Sequence, residues 1–192
     1  MRKLFVAPLL ALALLSAGFA SRAAALEGQR FADTTRLASH ELQLNGLGVR
    51  AVFIFKAFVA GLYLPQKTSE PQHILGQPGA RRLQLRMLME IGSADIKKAL
   101  IDGIRKNVSD SQWETMHDRV AEFARTIDSI GVARVGDTID LDYLPERGMT
   151  LAVNDVPRGG VVGDAAVYNA MLAIFVGNDP VDGRLKNGLL GQ

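Results

Sequence analysis

The chain has 192 residues and no cysteine, which excludes a disulfide scaffold and removes thiolate nucleophiles and thiolate metal ligands. Its formal charge of +2 comes from the N-terminus, because Arg2, Lys3 and Arg22 all precede the first acidic residue. The 167 residues after Ala25 carry 19 basic against 20 acidic side chains, and a net charge of −1 gives no reason to invoke nucleic acid.

Residues 1–25 read as a cleavable export signal. Arg2 and Lys3 form a positive start, Leu4 to Ala20 is an apolar run without charge, and Ala23-Ala24-Ala25 offers the small residues a signal peptidase needs. Cleavage is expected after Ala25, with the bond after Ala20 as second choice. The run holds 17 residues, at the lower edge for a spanning helix, and contains Pro8. No later stretch is apolar for long enough to span a bilayer. The expected mature chain, residues 26–192, is then one exported domain held by its core. The Ala/Leu-rich signal and the missing disulfides point to a bacterial periplasm.

From Gln29 to Leu64 the pattern is strand-like. Leu42 and Leu44 alternate with polar neighbours, and Asn45-Gly46-Leu47-Gly48 predicts a turn. Val49 to Leu64, rich in Val, Ile, Phe and Tyr, predicts two strands broken near Lys56-Ala57 and ended by Pro65. His73 to Gly79 reads as a loop, after at most a short helix. Arg82 to Met89 alternates and predicts a further strand with one face in the core.

The middle of the chain is helical. Ser93 caps an expected helix carrying Ile96, Leu100 and Ile104 at spacings of four. Ser111 and Glu114 fit a capping box for a second helix. Behind it Trp113, Met116, Val120, Phe123, Ile127 and Ile130 form one apolar stripe, expected to be core rather than ligand pocket, and Gly131 stops the helix. After Gly136 the period returns to two. Ile139, Leu141 and Tyr143, the turn Pro145-Glu146-Arg147-Gly148, and Met149, Leu151 and Val153 predict a hairpin. Gly159 to Gly163 reads as a turn. Asp164 caps an expected helix through Val167, Met171, Ile174 and Phe175 to Gly177, and a short helix around Val181 to Leu190 closes the chain. This order predicts an α+β domain with a mainly antiparallel sheet.

Common catalytic signatures are absent: there is no Gly-x-Ser-x-Gly elbow and no His-Glu-x-x-His. His40, His73 and His117 lack ligand spacing, so no metal and no cofactor are expected. Asp140 and Asp142 alternate with core residues and read as a solvated strand face. Arg50 stands out: it follows the predicted turn and opens an apolar stretch, where a guanidinium could hold a carboxylate or phenolate by charge-assisted bonds.

Three groups of segments together resemble the chalcone isomerase superfamily, in its bacterial chalcone-isomerase-like branch. They are Asn45 to Arg50 with Phe58 to Leu64; Arg82 to Met89 with the helix to Gly103 and Asn107; and Gly136 to Pro145 with Ala170 to Gly177 and Leu185 to Gly191. The resemblance implies an open-faced β-sandwich, an antiparallel sheet packed with helices around a cleft. It also implies either chalcone closure, by an arginine with Tyr, Thr and Asn groups, or fatty-acid binding by the same arginine. Arg50 matches that arginine. The enzyme's other polar positions fall at Phe58, in Ser93-Ala94-Asp95-Ile96, near Asp102 and in Ala173-Ile174-Phe175, and so carry no matching group.

The expected function is therefore a periplasmic, non-catalytic binder of a small apolar molecule with an anionic head, such as a fatty acid. The expected ligand-binding residues are Arg50, Phe58, Tyr63, Ile96 and Ile174. The alternative is an isomerase or intramolecular lyase on an unknown substrate, using Arg50 with Tyr63 or Tyr168. A third reading is a partner-binding module in which Arg50 faces solvent.

Overall fold

A computed structural model describes residues 23–192. The expected signal up to Arg22 therefore lies outside the described residues. The chain runs through β1 (Ala23–Leu26), β2 (Gln29–Ala32), β3 (Thr34–Leu37), β4 (His40–Val52) and β5 (Phe55–Leu64). Next come α1 (Pro71–Gly76), β6 (Arg81–Met87), β7 (Ile91–Gly92), α2 (Ser93–Asn107), α3 (Asp110–Asp128) and β8 (Val132–Ala133). It ends with β9 (Thr138–Leu144), β10 (Gly148–Val153), β11 (Val156–Gly163), α4 (Ala165–Val176) and α5 (Gly183–Leu189).

Seven strands form one antiparallel sheet in the order β11-β10-β9-β6-β5-β4-β3. Strand alternation divides its side chains between two faces. Ala60, Leu62, Leu83, Leu141 and Leu151 join the large core, which the helices complete. Val59 and Tyr63 point the other way, into a smaller cluster with Phe31, Leu42 and Leu44 beneath the β1–β2 hairpin. The α+β class and the helix-packed antiparallel sheet match the expectation.

α4 sits at the centre of the helical layer, against α1, α2, α3 and α5. Nine of its residues are buried, from Val167 to Val176, so it is apolar all round rather than striped. Asp164 caps it by accepting from the Val167 N–H, as expected. The box that starts α3 lies two residues earlier than the predicted one: Ser109 accepts from the Gln112 N–H while the Gln112 side chain accepts from the Ser109 N–H. Ser93 is the first helical residue of α2 rather than its cap.

Two glycine-rich stretches behave differently from the sequence expectation. Asn45-Gly46-Leu47-Gly48 is no turn but the middle of β4, with a bulge between Leu44 and Gly46. The glycines are there because α5 lies directly on the strand. A Cβ on Gly46 would sit 2.1 Å from the Gly188 carbonyl oxygen, and one on Gly48 would sit 2.4 Å from that of Leu185. The chain turns instead at Phe53-Ile54, where Phe53 has φ +55°. Likewise Gly159 to Gly163 belongs to β11, and the preceding turn is made by Asn154 and Asp155, both at positive φ.

Asp140 and Asp142 lie off the helix-packed face, as alternation requires, but they are buried rather than solvated. Arg82 binds Asp142 through two hydrogen bonds of 2.6 and 2.7 Å, and Gln84 donates to Asp140 at 2.8 Å. A paired, hydrogen-bonded cluster of this kind closes the face without leaving the charges unsatisfied.

Candidate functional site

The register of five strands builds the floor of a cavity. Arg50 pairs with Phe58 across β4 and β5, Phe58 with Met87 across β5 and β6, Leu85 with Ile139 across β6 and β9, and Leu141 with Leu151 across β9 and β10. All these residues line one cavity of about 280 Å³. The roof comes from helix faces at spacings of three and four: Ile96 and Leu100 of α2, Phe123 and Ile127 of α3, and Met171, Ile174 and Phe175 of α4. The lower half of the α3 stripe therefore lines the cavity as well as the core, where sequence reasoning expected core alone.

Close helix contact fixes the roof. A Cβ on Gly103 would fall 2.9 Å from Ile174 Cγ2, so α2 and α4 approach at that glycine. Phe58 and Phe175 meet from floor and roof, with ring centroids 6.4 Å apart and planes tilted by 57°, a favoured aromatic geometry.

The lining is apolar with two exceptions, Arg50 and Asp95. The Arg50 side chain is 24% exposed and makes its hydrogen bonds through Nη1 alone, to the Ala51 carbonyl at 2.7 Å and to Asp182 Oδ2 at 3.3 Å. Among the described residues its Nε and Nη2 have no protein partner, which leaves one edge of the guanidinium fork for a second anion.

Asp182 is the residue sequence reasoning missed. It caps α5 by accepting from the Arg184 and Leu185 N–H groups, and its other oxygen faces Arg50 and the Ala51 N–H. Burial works to raise its pKa, but the Leu185, Arg184 and Ala51 amides and the Arg50 guanidinium outweigh that and hold it below the usual carboxylate range. The signal was present as an N-cap residue, Asp followed by Gly at the start of a short helix; its pairing with a residue 132 positions away was not.

Of the expected ligand-binding residues, the fold brings Arg50, Phe58, Ile96 and Ile174 together at this cavity. Tyr63 is not among its lining. Being odd-numbered on β5 it projects from the opposite face of the sheet, where its hydroxyl donates to the Ala32 carbonyl and burial pushes its pKa up to about 12. Tyr168 is also elsewhere. It is fully buried, donates to the Leu141 carbonyl, and stacks on Tyr143 with Arg81 lying over both rings. Burial raises its pKa as well.

A second depression, about 430 Å³, opens at the β9–β10 turn and carries Arg119, Glu122, Glu146, Arg147 and Asp164. Its charged walls are open to solvent and partly self-paired, as between Arg119 and Asp164. The apolar cavity is the better ligand site, because enclosed apolar surface with one or two polar groups is what holds and orients a small molecule. No group of His, Asp or Glu arranged to hold a metal ion occurs among the described residues. No described helix is long and apolar enough to cross a membrane.

The chalcone isomerase-like family model matches residues 23–191, and the chain belongs to that family. Among solved structures, a fatty-acid binding protein of Arabidopsis thaliana is similar, with a TM-score of 0.66 over 88% of this chain and 96% of that one. The two share 12% sequence identity, so the likeness is one of fold. No curated protein matches the chain.

Proposed function

We propose that this chalcone isomerase-like protein is a non-catalytic carrier, working in the periplasm, for a small apolar molecule with an anionic head, such as a fatty acid. One observation carries the reading: an apolar cavity has a single cation at its rim, and that cation has an unused hydrogen-bonding edge. Apolar walls reward the tail by about 25 cal/mol for each Å² removed from water. The guanidinium selects the head, staying charged at any relevant pH. Asp182 keeps Arg50 neutralised when the cavity is empty, so the site does not hold a bare buried charge.

The lining also argues against ketone chemistry. Closure of a chalcone needs donors on the carbonyl as well as a cation on the phenolate. The cavity walls carry no hydroxyl or amide side chain, and both tyrosines considered as partners for Arg50 lie away from it. The structural likeness to a fatty-acid binding protein supports the same reading.

The test is titration of a medium-chain fatty acid into wild type and Arg50→Ala, with melting of both. Loss of a charge-assisted bond costs about 1.5–3 kcal/mol, so affinity should fall roughly ten- to a hundredfold. Equal affinities with a large drop in melting temperature would make the Arg50–Asp182 pair purely structural.

A further inference from the structure

We infer that the tip of the β4–β5 hairpin, Val52-Phe53-Ile54-Phe55, is an anchor that inserts into a lipid surface and sets the cavity mouth against it. Phe53 is 95% exposed, Ile54 86% and Phe55 62%. Nothing in the folding of this hairpin calls for them. Two-residue turns favour Asn, Asp and Gly, which take positive φ without strain, yet here Phe53 adopts φ +55°. The side chains are displayed to solvent, so their apolar surface contributes nothing to the core.

The shape of the tip selects the occupant. β6 leaves β5 at the Phe58–Met87 pair, and β3 pairs with β4 only from His40 to Gln43. The Ala57 carbonyl still accepts from the Leu88 and Met89 N–H groups, and beyond it β4 and β5 project as a two-stranded ribbon without sheet neighbours. From Arg50 to Phe53 is three residues, about 10 Å at 3.3 Å per residue. That is the depth to which interfacial anchors enter the boundary between headgroups and acyl chains. A convex wedge of this kind suits a deformable acyl layer, whereas a protein partner would have to supply a matching pocket.

Charge at the neck of the ribbon defines the kind of surface. Residues 52–55 are uncharged, Lys56 is paired with Glu27 at 2.6 Å, and Arg50 with Asp182 at 3.3 Å. The attraction is therefore apolar, needs no anionic lipid and resists salt. Val52 both lines the cavity and is exposed beside the tip, so an apolar path runs from the inserted residues to the site. That the anchor serves ligand uptake rests on the proposed carrier function; the anchoring itself rests on the tip alone.

The chain has no cysteine, so Phe53→Cys can be labelled at one position with a polarity-sensitive fluorophore, and Asp118→Cys, on the exposed face of α3, serves as the control. With phosphatidylcholine vesicles the Phe53 probe should shift to the blue and brighten, the Asp118 probe should not, and 0.5 M NaCl should leave the effect intact. Phe53→Ser combined with Ile54→Ser should weaken vesicle partitioning at least tenfold while fatty-acid affinity in free solution stays the same. No shift at Phe53, or equal shifts at both positions, would overturn the anchor. So would a wild-type dimer in light scattering that the double variant converts to monomer, since the tip would then be a contact between copies. Vesicle insertion without fatty-acid binding would leave the anchor standing and remove the carrier reading.

Discussion

Arg50 and Phe58 stand opposite each other in the β4–β5 ladder, and the pairing slips by one residue immediately afterwards, between Arg50 and Ala51. The pair therefore marks the last rung before the bulge, and two more rungs, Ala51 with Lys56 and Val52 with Phe55, carry the ladder to the hairpin tip. A bulge at this point bends the strand and re-aims its side chains. Phe58 reaches across the cavity to Phe175, while Arg50 turns to the rim and meets the acid that caps α5. The ladder thus puts the apolar and the charged ends of the site side by side.

The capping acid competes with any ligand anion for Arg50. Asp182→Asn keeps an oxygen for the α5 amides but removes the charge, so fatty-acid affinity should rise several-fold while stability falls. The carboxylate's pKa is lowered in the folded state, so its contribution is complete above its unfolded value near 4 and is lost as pH falls through the lower folded value. Melting temperatures of wild type and Asp182→Asn should accordingly differ at pH 7 and converge below about pH 4. A constant difference down to pH 2 would place the effect in packing rather than charge.

Ala99 lies on the exposed side of α2 and still contributes to the cavity wall, so it marks the mouth. Ala99→Trp should obstruct the cavity and reduce fatty-acid affinity more than tenfold. Because the site is exposed, stability should move by no more than about 0.5 kcal/mol. Isothermal titration and urea denaturation separate the two effects, and unchanged affinity would place the ligand elsewhere.

Gly46→Ala should destabilise the domain by about 1–3 kcal/mol in chemical denaturation, because the new methyl group meets backbone rather than a side chain that can rotate away. The same displacement of α5 would carry Asp182 with it. Fatty-acid affinity should therefore change in Gly46→Ala even though residue 46 does not line the cavity. A neutral effect on both would show that α5 is not held as tightly as the contact distances require.

The two expected cleavage points leave different N-termini. β1 pairs in register from Ala23 with Ala32 to Leu26 with Gln29. A cut after Ala25 would remove three of its four residues, whereas a cut after Ala20 leaves the strand whole. We therefore propose that the second choice, the cut after Ala20, replaces the first, so that N-terminal sequencing of protein recovered from the periplasm should begin Ser21-Arg22-Ala23. A start at Leu26 would restore the cut after Ala25 and mean that the β1–β2 hairpin forms no part of the mature domain.

What local sequence determined here is what depends on neighbours in the chain. The alternation from Ile139 to Val153, the helical stripe from Met116 to Ile127 and the Asp164 cap all follow from strand and helix periods and from unsatisfied helix amides, and all stand in the structure. The same periods put Phe58 and Tyr63 on opposite faces of β5, although treating both as site residues overlooked it. Arg50 was legible as an isolated charge in an apolar stretch. Tertiary structure decided the rest. A glycine in a sequence signals either a turn or a close approach, and only the presence of α5 on β4 shows that Gly46 and Gly48 are the second kind. Asp182 reads as a helix cap until the fold brings Arg50 to its other oxygen. Local propensities act over a few residues. The cavity, its cation and its counter-charge come from strands and helices far apart in the chain, and packing alone sets which of them meet.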